Sequence, residues 1–488
     1  MLAVATVLYS IWIFFKSLIV PTLYIEGVVG PVRSIYPPQS TTDAEKTIVS
    51  LVYRGLYKYD DKGNLVSDLA KTVEVGDDGL SYTVTISENN FWHNGDPITA
   101  DDVLYSASLY SSLSEIRIDR VSDTAVKFIL PNKFSPFLSI LTFPLVSSKD
   151  SNKVSDLYVN GSGDFRVIKV SRTKDGVSQI VLFHQKQASL YTSNPAYKLN
   201  KIAFRVYKSD TDLQTAYKLG EIDGFFARQE FNFHGMHKIS TPIYGRYFVL
   251  HFNTSKEPFS DKDLRKKLAK SIDLDYLQKT LLKDKVVKTD GVISNSWVTK
   301  KDLASLDYDP NQSPETTVVK SSLSYSNSKE LSLVANYIVQ EAKKLNLEIE
   351  LNPLTPAEIN NLISTERDYD LILLGEEVGH DPDRYVFWHS TQQQYPGLNL
   401  SQFSNIRVDK ALEKGREETD SEQRLEHYSI FQTVINEEVP ALFLYHEVYY
   451  YNMSDKIKAP LIDDLYYPWE RLRDFVKWEY QMSGMGAE

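Results

Sequence analysis

Five ionisable side chains crowd a short stretch: Glu376, Glu377, His380, Asp381 and Asp383. Such a run could carry acid–base chemistry, ligate a metal or grip a charged ligand. Two carboxylates that cleave a glycosidic bond must stand roughly 5–9 Å apart across a cleft. Adjacent Glu376 and Glu377 can hardly do that. His380 and His389 lie among carboxylates, but their spacing matches no dedicated metal site, and neither a metal nor a cofactor is expected. Neither Gly-x-Ser-x-Gly nor His-Glu-x-x-His occurs, and there is no cysteine to act as nucleophile, thiolate ligand or disulfide partner. The glycine-rich turn Gly161-Ser162-Gly163 lacks the Gly-Lys-[Ser/Thr] that a phosphate cradle needs. Catalysis therefore has no motif, which leaves binding. Asp381 and Asp383 have a second reading, as caps of a short helix over Arg384–Trp388.

The elements around this stretch say where it sits. Tyr369 to Leu374 reads as a buried strand, and a loop leaving a strand end in an α/β lobe is a usual ligand position. Before it, Ser328 opens an amphipathic helix with Leu331, Val334, Ala335, Ile338, Ala342 and Leu345 on one face. Leu347–Leu351 alternates as a strand, and Thr355-Pro356-Ala357-Glu358 is a capping box. After it come helices over Leu412–Glu417 and Ser421–Asn436 and a strand over Ala441–Tyr445. Earlier, Ser260 is expected to cap a helix whose lysines form a wet face. The succession implies an α/β lobe.

Leu51 to Tyr110 has a different order. A turn-rich Asp60-Asp61-Lys62-Gly63-Asn64 precedes Thr72–Val75, and Asp77-Asp78-Gly79 is a hairpin turn. Leu80, Tyr82, Val84 and Ile86 share one sheet face. Trp92-His93-Asn94-Gly95 turns the chain towards Thr99-Ala100-Asp101-Asp102-Val103, a capping box that opens a helix. This run resembles the bacterial extracellular solute-binding proteins of family 5, the peptide and nickel type that feed ABC importers. Gly220-Glu221-Ile222-Asp223, the series Asn253, Pro258-Phe259-Ser260-Asp261, Arg265, Ile272-Asp273, and Arg424, Tyr428, Gln432, Ile435, Pro440 extend the likeness over most of Leu23 to Trp478.

The resemblance implies a two-lobed α/β periplasmic-binding-protein-like fold of type II with an extra accessory domain. The expected division is residues 22–50, 160–245 and 446–488 for the main domain of lobe 1, 51–159 for the accessory domain and 246–445 for lobe 2. In peptide-binding relatives an Asp three residues before an Asp-Pro-Asp run grips the ligand ammonium. Asp381-Pro382-Asp383 matches that run, but Val378 stands at the upstream position, so Glu376 or Glu377 is the candidate substitute. Tyr36, Tyr247, Trp388 and Tyr445 fall at strand or loop ends that, by the same resemblance, face the cleft. Tyr36 replaces the Asp of the family's usual segment there. With His380 and Asp381 these are the expected ligand-binding residues.

Net charge −11 and a pI near 5.5 argue against nucleic acid. Residues 2–20 carry no charge except Lys16 and would span roughly 28 Å as a helix, close to a bilayer core. No small-x-small cleavage pattern and no preceding Lys or Arg marks a cleaved signal, so residues 1–20 are expected to be an uncleaved signal anchor, a transmembrane helix. The family's lipid-modified cysteine is missing, which fits. The expectation is a monomeric, extracytoplasmic protein that captures peptides or similar small solutes for the membrane subunits of an ABC importer. The alternative is a membrane-anchored sensing or interaction protein that kept the fold without transport.

Overall fold

A computed structural model describes residues 23–150, 157–185, 196–289, 291–293, 306–365, 367–460 and 465–481. The expected anchor, residues 1–20, lies outside them. Among the described residues no helix is long and apolar enough to cross a membrane.

One strand, Ala441–Ser454, joins two lobes. Its first half pairs antiparallel with Arg246–Phe252 and Val286–Lys288. Its second half pairs antiparallel with Met236–Pro242 and Gly224–Ala227. The partners change between Glu447 and Val448. The sequence predicts an end at Tyr445. The strand continues because Val448, Tyr449, Tyr450 and Tyr451 suit a pleated, half-buried surface and find sheet partners.

In the second lobe Arg246–Phe252 also pairs with Leu371–Glu377, which is followed by the parallel strands Val319–Ser326 and Leu347–Leu354. The helix Lys329–Lys344 buries Leu331, Val334, Ile338 and Ala342 against them. The first lobe sets Leu23–Val29 parallel to both Lys201–Tyr207 and Gly224–Ala227. Strands Gly176–His184 and Phe165–Thr173 extend it antiparallel. A separate four-stranded antiparallel sheet, with the helix Ala100–Ser108, encloses its own core of Tyr82, Val84, Ile86, Val103, Phe128 and Phe137.

Local chemistry sets most helix starts. Capping boxes form at Thr42/Glu45, Thr99/Asp102 and Thr355/Glu358. Asp102 is buried and also accepts from Trp92 Nε1 at 3.1 Å and Ser148 N at 2.8 Å, which ties the Trp92-His93-Asn94-Gly95 turn to the helix. One expected cap is off by a residue. Asp261, not Ser260, caps Lys262–Ser271 by accepting from Asp263 N, while Ser260 Oγ donates to Glu257.

The glycine-rich turn is a packing device. Ser162 N and Gly163 N both donate to Val52 O, at 3.0 and 2.7 Å, and so satisfy the end of the helix Asp43–Val52. A Cβ at Gly161 would meet Val52 O at 2.1 Å, and one at Gly163 would meet Leu51 O at 2.3 Å. Gly163→Ala should therefore cost about 1–3 kcal/mol, as overpacking against backbone does. Urea unfolding of the variant measures it, and an unchanged midpoint would remove the close-approach explanation.

Candidate functional site

The lobes meet at a seam of alternating charge. Arg246, the first residue of its strand, holds Asp43 bidentately with NH1–Oδ2 and NH2–Oδ1 distances of 3.0 and 2.7 Å. Asp43 opens the lobe 1 helix. The same guanidinium donates through Nε to Glu377 Oε2 at 2.9 Å. Glu377 Oε1 accepts from Lys46 Nζ of lobe 1 at 3.1 Å. Burial opposes the charge of Arg246, but Asp43 and Glu377 hold it protonated far above the working pH range. On the crossing strand, buried Glu447 pairs with Arg228. Burial raises the Glu447 carboxyl pKa and the Arg228 charge pulls it partly back. A cavity of about 120 Å³ opens beside this pair, walled from both lobes by Asp210, Arg228, Lys285, Glu330 and Tyr445.

Glu376 and Glu377 belong to the strand Leu371–Glu377 and not to the loop predicted after Leu374, because pairing with Arg246–Phe252 continues to the end. Alternation then separates them. The Glu377 side chain is 40 % exposed at the seam, whereas Glu376 points into the lobe. Glu376 Oε1 lies 2.9 Å from His251 Nε2, and His251 Nδ1 lies 2.8 Å from Ser401 Oγ. That Ser–His–Glu row has the connectivity of a nucleophilic triad. Its serine hydroxyl donates to Pro440 O, and Ser401 and His251 are wholly inaccessible, so no carbonyl group can approach.

The other expected residues divide by location. His380 is stacked between Tyr59 and Tyr466, each at 4.0 Å, and its Nε2 lies 2.7 Å from Glu470 Oε1. Burial opposes ionisation of Glu470, but His380 and the Tyr466 N–H hold its carboxyl below the usual range. Asp381 forms a two-point pair with Arg424 at 2.6 and 2.9 Å, on the wall of a cavity of about 540 Å³ shared with Tyr59, Ser135 and Pro136. Tyr445 is buried, stacks on Phe248 at 4.9 Å and reaches the small interlobe cavity. Tyr247 and Trp388 are core, each packed near Phe443. Tyr36 is buried with its hydroxyl 3.3 Å from that of Tyr105, joining the lobe 1 loop to the accessory helix. The seam thus gathers Glu377, His380 and Tyr445, with Glu376, Tyr247 and Trp388 behind it. Among the described residues no group of three or more His, Asp or Glu is arranged to hold a metal ion.

Asp43, Lys46, Arg228 and Glu447 escape the sequence reading as seam residues. Asp43 looks like a helix-start acid and Lys46 like a wet-face lysine. Their partners lie 203 and 331 residues away. Only Arg246, the charged first residue of a strand that is mostly apolar, offers a local signal.

Glu45 fixes the lobe 1 wall. It accepts the backbone N–H groups of Arg33, Ser34, Thr41 and Thr42 at 2.7, 3.1, 2.9 and 3.0 Å. Burial would raise its pKa, but these donors hold the carboxyl below its ordinary value. A depressed folded-state value contributes stability above the unfolded value of about 4.3 and loses it as pH falls through the folded one. Glu45→Gln should cost about 1–3 kcal/mol at neutral pH. In a urea series across pH, the two proteins should converge as acid protonates Glu45. A constant gap down to pH 2 would contradict this.

A sequence profile described as bacterial extracellular solute-binding proteins, family 5 middle region, matches residues 64–396. The chain is 22 % identical to the oligopeptide-binding protein AppA of Bacillus subtilis, over 93 % of this chain and 91 % of that protein. The crystal structure of the ABC transporter substrate-binding protein CtaP of Listeria monocytogenes superposes with a TM-score of 0.75 at 23 % identity, covering 94 % of this chain and 99 % of that one. The structure of AppA from Bacillus subtilis in complex with a nonapeptide gives 0.72 at 21 % identity, covering 94 % and 99 %. The architecture is that of two-lobed α/β binding proteins, and the profile covers more than half of the sequence. This chain belongs to the bacterial extracellular solute-binding proteins of family 5, which are substrate-binding proteins and not enzymes.

Proposed function

We propose that this protein captures peptides, or small solutes of similar chemistry, between its lobes and delivers them to the membrane subunits of an ABC importer. One observation carries this reading: at the seam, exposed Glu377 from the end of a lobe 2 strand meets Lys46 of lobe 1 directly and Asp43 of lobe 1 through Arg246. Strand ends supply backbone groups and the charges supply counter-ions, which suits a ligand with amides and ionised termini. The oligopeptide-binding relative and the nonapeptide-bound neighbour support the same ligand class.

Glu377 and Tyr445 contact the ligand, with His380 beside them. Tyr36, Tyr247, Glu376, Asp381 and Trp388 hold the walls. Lobe 1 with its accessory domain, residues 22–245 and 446–488, closes on residues 246–445. The protein acts as a monomer outside the cytoplasm, held at the membrane by residues 1–20. Closure follows from binding only where the ligand prefers the closed state. Calorimetry against a peptide library, with small-angle scattering before and after addition, should show micromolar or tighter binding with compaction. Neither heat nor compaction across the library would exclude peptide capture.

A further inference from the structure

Lys46 sits in a small site built for an ammonium group. Glu377 has two oxygens with different tasks. Oε2 is held by Arg246, which orients the carboxylate, and Oε1 faces Lys46 Nζ at 3.1 Å. Lys46 Nζ also lies 4.4 Å from the Trp469 ring centroid. Tyr467 stacks on that indole at 4.3 Å with an interplanar angle of 11°, and is itself fixed by its hydroxyl bond to Val378 O at 2.7 Å. A near-parallel ring at that distance fills one indole face, so the ammonium lies on the other. Lys46 Nζ thus meets a carboxylate oxygen and an aromatic face, the two elements of ammonium recognition, beside the Arg246 guanidinium, which lies 5.7 Å from the same indole centroid.

The occupant is replaceable. The Lys46 and Glu377 side chains are 29 % and 40 % exposed, and ion pairs at that exposure are weak and screened by salt. Lys46 comes from lobe 1 and Glu377 from lobe 2, so the contact also joins the lobes. We propose that Lys46 is an internal surrogate for the ammonium of a ligand: it fills the Glu377–Trp469 site, latches the lobes together, and must leave before a ligand amine binds there. The ligand half of this rests on the peptide-capture reading. The latch half rests on the ion-pair geometry alone.

The test compares wild type, Lys46→Met and Glu377→Gln. The probes are a pooled unblocked tetrapeptide library and the same pool N-acetylated, read by intrinsic fluorescence and calorimetry. Lys46→Met should bind the unblocked pool about two- to fivefold more tightly, the scale of a weak exposed pair. Loss of the latch acts on both pools alike, so the gain should be larger for the unblocked pool than for the acetylated one, and Glu377→Gln should weaken the unblocked pool relative to the acetylated pool. Weaker binding of the unblocked pool by Lys46→Met, or an equal gain for both pools, would overturn the surrogate role. Scattering of the three proteins without peptide is the second measurement. Both variants should be more open than wild type at low salt and equal to it at high salt. If no protein binds either pool, peptide capture fails while the latch is still decided by this comparison. Identical scattering of all three at low salt would refute the latch.

Discussion

Replacing Arg471 by methionine should lower the unfolding free energy by about 3–5 kcal/mol, the cost of leaving a buried charge without its partner. Glu26 lies in the middle of the lobe 1 sheet, between the strands Lys201–Tyr207 and Gly224–Ala227, and is wholly buried. The Arg471 Nε donates to Glu26 Oε1 at 3.1 Å and its NH2 group reaches the same oxygen. The Tyr451 hydroxyl donates to Glu26 Oε2 and accepts from the Tyr24 hydroxyl at 3.2 Å. Arg471 NH1 is used as well, by Thr47 Oγ1 at 2.8 Å and Pro468 O at 2.7 Å. This is a nearly saturated network, so the charges are tolerable together and costly apart. Without Arg471, the Glu26 carboxylate loses its cationic partner in a dry site, and the bonds to Thr47 and Pro468 go with it. The double variant Glu26→Gln/Arg471→Met should recover most of the loss, because two apolar or neutral groups replace a charge pair at little net cost. Denaturant unfolding of the three variants measures it. A single-variant loss below about 1 kcal/mol would show that the pair does not hold the carboxy-terminal segment to lobe 1.

That network also shows what one sequence can and cannot reveal. Thr42 with Glu45, Thr99 with Asp102, and Thr355 with Glu358 are visible because a capping box is complete within four residues. The stripe Leu331, Val334, Ile338 and Ala342 is visible because a helix repeats on itself. Glu26 and Arg471 are 445 residues apart, and only the fold makes them neighbours. The same holds for Asp43 with Arg246. The family pattern supplied the two-lobe architecture, but the contacts across this chain's seam come from residues that look ordinary locally. The strand Leu371–Glu377 is instructive in another way. Gly375-Glu376-Glu377 has little intrinsic strand preference, and the neighbouring strand overrides it. That override turns Glu376 inward to His251 and leaves Glu377 facing the other lobe.

Asp381→Asn should cost about 2–4 kcal/mol of stability, somewhat less than the Arg471 change because the Arg424 and Asp381 side chains are 8 % and 16 % exposed. Both Asp381 oxygens are engaged: Oδ1 accepts from Arg424 NH2 and from Asp383 N at 2.9 Å, and Oδ2 accepts from Arg424 NH1. Asparagine keeps one acceptor and turns an NH2 group towards a guanidinium that can only donate. Arg424 would retain Gly415 O at 2.9 Å and the Tyr428 hydroxyl at 3.2 Å, but no carboxylate. The neighbouring pair, Asp383 with Arg416 Nε at 2.9 and 3.0 Å, would hold the turn alone. Pairing Asp381→Asn with Arg424→Met should return more than half of the loss, since the stranded cation is then gone. Ligand binding separates the two roles open to Asp381. Measured below the unfolding transition, peptide affinity should change by less than about twofold, because an oxygen already spent on Arg424 and Asp383 has little to offer a ligand. A tenfold loss of affinity in a fully folded Asp381→Asn protein, about 1.4 kcal/mol, would instead place Asp381 in direct contact with the cargo.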